Sequence, residues 1–100
     1  MFEENKVYTF KLNSGEELIA KVVGDIANTN KLRLVNPVSV APSGKGVGLI
    51  PSMFTADADG ETVLNINNVS IYAETDESIK TKYIEMTTGI TLPDKKILVG

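Results

Sequence analysis

The stretch Phe10-Lys11-Leu12-Asn13-Ser14-Gly15-Glu16-Glu17-Leu18-Ile19-Ala20-Lys21-Val22 decides the fold, because side-chain character alternates on both sides of one turn. Tyr8, Phe10 and Leu12 share one face of a strand over residues 6–13, with Thr9 and Lys11 on the other. Asn13-Ser14-Gly15 reads as a tight turn, glycine supplying the positive φ. Residues 16–26 alternate again, Leu18, Ala20 and Val22 on one face and Ile19, Lys21 and Val23 on the other. Two alternating runs joined by a glycine turn predict a β-hairpin.

Outward from the hairpin the pattern repeats. After a polar connection over residues 24–30, a third strand is expected at 31–41, where Leu32, Leu34, Val38 and Val40 keep one parity. Pro37 interrupts it and should mark a bulge or an unpaired edge, since proline has no N–H for a ladder. A turn at 42–46 leads to a fourth strand at 47–54, broken by Pro51, and an acidic turn follows at 55–61. Short strands at 62–66 and 69–74 flank Asn67-Asn68. Five or six short strands joined by turns are the pattern of a small antiparallel barrel, an all-β class.

The character changes at Thr75, which suits an N-cap, with Asp76 and Glu77 where the helix dipole favours carboxylates. Ile79, Tyr83 and Met86 fall at i, i+4 and i+7, and Gly89 suits the C′ position. The spacing predicts an amphipathic helix over 76–88 packed on the barrel, its stripe serving as core or inter-subunit packing. Residues 1–89 thus form one domain, and 90–100 follow as a tail, either a short docked strand or a disordered segment.

Composition narrows the function. The 100 residues carry 10 Lys+Arg against 13 Asp+Glu, a net charge of −3, and no Cys, His or Trp. Without those residues there is no thiol nucleophile, imidazole base, thiolate or imidazole metal site, or disulfide. A net negative chain argues against non-specific nucleic-acid binding, which is usually basic. No apolar run reaches membrane-spanning length and the N-terminus does not read as a signal peptide, so a cytoplasmic domain with no membrane partner is expected.

Three sets of residues suggest chemistry, two failing on their spacing or ligand set and one on solvation. Asp57-Ala58-Asp59-Gly60-Glu61 resembles part of a calcium loop, but the closing Glu is absent and an Asp-Gly turn is expected instead. Gly44-Lys45-Gly46-Val47-Gly48 lacks the P-loop spacing and joins two strands rather than opening a helix. Glu16, Glu17, Asp25 and Glu61 fall at turns and strand ends, where solvation opposes the raised pKa that acid–base catalysis needs. The chain therefore reads as a non-enzyme without a cofactor, metal or catalytic residue.

The informative feature is an absence of charge. Residues 63–73 and 46–56 contain none, although exposed sheet edges are usually protected by Lys or similar devices. Either these segments are interior strands of one sheet, or they are edges whose partners are edges of another subunit. The candidate oligomer-edge residues are Val47, Leu49, Met53, Val69, Ile71 and Tyr72.

The series Phe10-x-Leu12-x-x-Gly15-x-x-Leu18-x-Ala20-x-Val22-x-x-Asp25, then Asn30-x-Leu32-x-Leu34, resembles the first motif of Sm/Lsm proteins. Leu64-x-Ile66-Asn67-Asn68-Val69-x-Ile71 is similar to a degenerate second motif. The Gly-Glu-Glu hairpin, Asn36-Pro37-Val38 and the helix after the barrel resemble Sm-like proteins of tailed phages, including cyanophages. The resemblance covers residues 6–89. It implies a strongly bent five-stranded barrel assembling edge to edge into a homo-oligomeric ring of about five to seven subunits. It also implies single-stranded RNA as ligand, at Asp25, Thr29, Asn30, Asn67 and Asn68, with Lys31 or Lys45 neutralising phosphate. Several family features are missing. Asn30 lies one position late, residues 26–28 offer no stacking side chain, Asn67-Asn68 replaces Arg-Gly, and Arg33 is the only arginine. An alternative implied role is a structural or assembly protein of a phage particle, in a host cytoplasm, without nucleic acid.

Overall fold

A computed structural model describes residues 2–88. It contains six antiparallel strands and one helix: β1 (Lys6–Leu12), β2 (Glu17–Ile26), β3 (Lys31–Ser43), β4 (Gly46–Pro51), β5 (Glu61–Asn65), a 3-10 turn (Ile66–Asn68), β6 (Val69–Glu74) and α1 (Glu77–Thr88). The chain is all-β with a C-terminal helix, as the alternation predicts. The expectations for Gly89 and for the tail at 90–100 lie outside the described residues.

The strands hydrogen-bond in the order β4-β3-β2-β1-β6, and β5 also pairs with β3. β2 lies along one side of β3, while β4 opposes Val38–Ser43 and β5 opposes Lys31–Val35. β4 and β5 therefore share the second side of β3, end to end, with residues 52–60 looping out between them. Six segments thus occupy five strand positions.

The connection between β5 and β6 shows that this sheet is rolled. Laid flat, β5 and β6 would be separated by four interstrand steps, about 19 Å at the usual ~4.8 Å spacing. The 3-10 turn bridging them covers only about 8 Å at ~2 Å per residue. Moreover, Asn30 and Asn13, in the turns at opposite ends of β2, both bond to this segment. The Asn30 carbonyl accepts from Ile66 N–H at 2.8 Å, and the Asn13 N–H donates to the Asn68 carbonyl at 2.7 Å. Diagonal corners of the sheet meet, so the sheet curls around its own inner face.

That inner face holds the first core: Tyr8, Phe10, Leu18, Ala20, Val22, Leu32 and Leu34, with Leu12, Leu64, Ile66 and Val69 against it. Phe10, Ala20 and Val22 are fully buried, and each large apolar side chain so removed from water contributes about 1.5–3 kcal/mol. The opposite face holds a second core of Val7, Ile19, Val38 and Tyr83, joined by Val40, Leu49 and Ile79. Helix α1 covers it.

The third strand departs from its sequence reading. Leu32 and Leu34 belong to the inner core, whereas Val38 and Val40, of the same parity, belong to the outer one. The pleat reverses between them because β3 carries an extra residue there: the register passes from Ile19↔Val38 to Lys21↔Val35. Asn36 takes a left-handed φ of 52° immediately before Pro37. Pro37 does mark a bulge.

Tyr83 repairs the ladder at this break. Its hydroxyl accepts from the Lys21 N–H at 3.1 Å and lies 2.9 Å from the Asn36 carbonyl and 3.2 Å from that of Val35, to which it donates. Burial pushes the Tyr83 phenol up to about 12, against the pull of the Lys21 N–H. The helix begins one residue later than expected, capped by Asp76 rather than Thr75. Asp76 Oδ2 accepts from Ser78 N–H at 3.1 Å, Ser78 Oγ–H at 2.6 Å and Ile79 N–H at 3.4 Å. Those bonds, chiefly the Ser78 hydroxyl, hold the Asp76 carboxyl below its ordinary value. Thr75 is buried and shares a hydroxyl bond of 2.9 Å with Thr9, fastening the helix entry to β1.

Candidate functional site

Two features of the surface stand out: a polar cluster where the rolled corners meet, and the two outer edges of the sheet. The cluster forms because asparagine side chains stabilise non-extended backbone at both turns. In the β2–β3 turn, Asn28 takes a left-handed φ of 63°, while Thr29 N–H and Thr29 Oγ–H both donate to the Ile26 carbonyl, at 3.2 and 2.7 Å. Asn65 caps the 3-10 turn by accepting from Asn67 N–H at 3.0 Å. Asn67 then joins the turns: its carbonyl accepts from Asn13 Nδ2 at 2.9 Å and its Oδ1 from Asn30 Nδ2 at 3.3 Å. Ser70 Oγ donates to Asn13 Oδ1 at 2.6 Å.

Of the expected RNA residues, Asn30, Asn67 and Asn68 come together, with Thr29 and Lys31 beside Asn30 in the chain and Lys31 opposite Asn65. Asp25 is exposed on β2 opposite Leu32, near the same end of the strand. Lys45 does not join them. It lies in the β3–β4 turn, beyond the far end of the 13-residue β3, between Ser43 and Gly46, whose φ is 122°. Arg33, the only arginine, is held by Glu61 at 3.2 Å across the β3–β5 pair. Its guanidinium also lies over Gly24, where a Cβ would come within 2.7 Å of it.

The edges are formed by β4 with β5 on one side and by β6 on the other; among the described residues no strand pairs with their outer sides. β4 carries no charge, and β6 carries only Glu74 at its end, which Lys6 engages at 3.1 Å. That bond, more than any other contact, raises the Lys6 amine above its ordinary value. Val47, Ile50, Val63, Ile71 and Tyr72 are exposed, Ile71 at 67%. The six expected edge residues differ in burial. Val47, Ile71 and Tyr72 are exposed, although the Tyr72 ring also meets Phe2 at 4.5 Å, whereas Leu49 and Val69 pack against the outer and inner cores respectively. Met53 lies past the end of β4, in the loop.

The remaining motifs resolve as turns. Asp57 Oδ1 accepts from Asp59 N–H at 3.0 Å and the Asp57 carbonyl from Gly60 N–H at 3.1 Å, closing the loop between β4 and β5. Among the described residues no group of three or more acidic side chains is placed to hold a metal ion, and no helix is long and apolar enough to cross a membrane.

The chain matches no model of a known protein family and no curated protein. The functional reading therefore rests on the geometry.

Proposed function

We propose that the chain is a non-catalytic, self-assembling module of Sm-like type, whose β4–β5 edge on one copy pairs with the β6 edge of the next to close a homo-oligomeric ring. The observation that carries this reading is the pair of outer edges, apolar, nearly uncharged and unpaired within the described chain. A lone chain leaving such edges in water exposes a row of backbone donors and acceptors to any strand it meets. Edge-to-edge pairing satisfies both at once, and a heterologous contact repeated by rotation closes a ring. The five strand positions and the meeting of the 27–30 and 66–68 segments support the same reading. The role proposed for the ring is a scaffold.

A lysine placed on one edge tests it. Ile71→Lys puts a charge where the neighbouring strand would pack, and sedimentation should then show single chains in place of an oligomer. Ile84→Lys, at an exposed position on α1 rather than on an edge strand, should leave the oligomer intact. Equal behaviour of the two variants would refute edge pairing.

Single-stranded RNA binding is a second reading, favoured by the joining of Asn30 and Asn67 next to Lys31. The engagement of Arg33 by Glu61 and the distance of Lys45 along β3 weigh against it. Titration of poly-U at two salt concentrations decides it. Binding through phosphate weakens steeply with salt, by counterion release, and absence of binding at low salt leaves the scaffold reading alone.

A further inference from the structure

Charge is placed at opposite ends of the two assembly edges. Glu74 closes β6, Asp76 and Glu77 follow it, and the neutral Asn67 and Asn68 border its start. β4 itself is uncharged, Lys45 immediately precedes it, and the loop beyond it holds Asp57 and Asp59. Beside the end of β6 lies an open cleft of about 280 Å³, lined by Glu17, Glu74 and Asp76 over an apolar floor that includes Ile19, Val40 and Ile79. No lysine or arginine lines it. Two of its carboxylates have exposed lysine partners, Glu74 with Lys6 at 3.1 Å and Glu17 with Lys11 at 4.0 Å. Asp76 pairs with no cation among the described residues, and its side-chain bonds, from Ser78 and Ile79, all fall on Oδ2. Lys45 is exposed and likewise joins no salt bridge among the described residues.

We infer that β4 of one copy runs antiparallel to β6 of the next, and that Lys45 of the first copy seats in the acidic cleft of the second. This rests on the edge-pairing reading and adds to it a direction and an anchoring side chain. Strand order within one rolled sheet leaves the direction between copies open, and charge decides it. In the antiparallel sense the Lys45 end of β4 meets Glu74, with Asp76 two residues beyond. In the parallel sense Lys45 meets the neutral start of β6, and the acidic 57–59 loop lies toward Glu74 and Asp76. Opposite charges steer an encounter, whereas like charges brought together across an interface oppose it. The same rule selects β4 over β5, because an antiparallel β5 would bring Glu61 at its start against Glu74. A lysine suits the cleft, since its methylene stem can lie along the apolar floor while the ammonium reaches the carboxylates.

Cross-linking tests it, and the absence of cysteine from the chain makes each introduced thiol unique. Thiols beside the charged residues leave the charges in place. A Cβ at Gly44 meets nothing within 4 Å, and Ala73 is exposed on β6. A Gly44→Cys chain is refolded from urea with an equal amount of an isotopically heavier Ala73→Cys chain and treated with a short bismaleimide. One thiol per chain excludes links within a chain. The expected product is a covalent pair of mixed mass, severalfold more abundant than the pair formed by Gly44→Cys with Ser70→Cys, at the opposite end of β6. Equal yields or the reverse preference would overturn the inference. Native mass spectrometry of the same mixtures before cross-linking separates the two readings. A closed oligomer without the preferred product refutes the direction alone, whereas protomers alone refute edge pairing and this inference with it. Lys45→Glu should lose the oligomer at low salt and regain it as salt screens the repulsion. An oligomer indifferent to Lys45→Glu would also overturn the assignment.

Discussion

Tyr83→Phe removes one oxygen atom and tests the idea that the helix completes the sheet rather than merely covering it. The ring of Tyr83 is 1% exposed, and phenylalanine keeps its volume and apolar contacts with Val7, Ile19 and Val38. What disappears is the hydroxyl that accepts from Lys21 N–H and donates toward the Asn36 and Val35 carbonyls. Those backbone groups sit at the bulge, where the register slips between β2 and β3. A buried donor stranded by loss of its partner costs about 1–3 kcal/mol. For a domain of this size each kcal/mol lowers Tm by about 4–8 °C. Urea unfolding and thermal melts at one fixed protomer concentration should show that loss. Tyr83→Ala should cost more, about 3–5 kcal/mol, since it also empties the core under α1.

The pH dependence supplies a second check on the same residue. In the unfolded chain the phenol ionises near 10, in the folded chain only near 12. The stabilisation by the neutral hydroxyl is therefore complete below pH 10 and lost as pH rises through 12. The stability gap between the natural chain and Tyr83→Phe should be flat from pH 7 to 9 and shrink between 10 and 12. A phenylalanine variant as stable as the parent at pH 7, or a gap indifferent to pH in the alkaline range, would refute the reasoning.

Three further outcomes are expected. Asn36→Ala should destabilise by about 1–2 kcal/mol, because an alanine bears the full cost of a left-handed φ, whereas Asn36→Gly should be close to neutral by urea unfolding. Asp76→Ala should raise amide exchange across the first turn of α1 at neutral pH. In the natural chain the same protection should fall away in acid, as pH drops from about 3.8 through the lower folded value. Phe10→Ala, at the centre of the inner core, should cost about 3–5 kcal/mol in chemical unfolding and leave too little stability for an ordered chain at elevated temperature.

Much of this fold can be read directly from alternation. The β1–β2 hairpin follows from Tyr8, Phe10 and Leu12 facing Leu18, Ala20 and Val22, and the structure pairs Phe10 with Leu18 and Tyr8 with Ala20. The reversal within β3 is not legible in the same way. Parity places Leu34 and Val38 on one face, and only the backbone at Asn36-Pro37 puts them on opposite faces. Nor does helical spacing reveal that the Tyr83 hydroxyl, rather than its ring alone, matters, because its partners are backbone atoms on two distant strands. Among the candidate site residues, Asn30 and Asn67 are far apart in the chain and meet only because the sheet rolls. Lys45 has the right charge and lies beyond the wrong end of β3. The ion pair of Arg33 with Glu61 depends on β3 lying beside β5, a pairing that alternation alone does not specify.

The central claim is that the outer edges of β4–β5 and β6 pair between copies. Native mass spectrometry of the intact chain at low micromolar concentration tests it most directly. The account predicts one discrete closed oligomer, a whole multiple of the 10.8 kDa protomer, that persists on dilution. A single species at the protomer mass would contradict it.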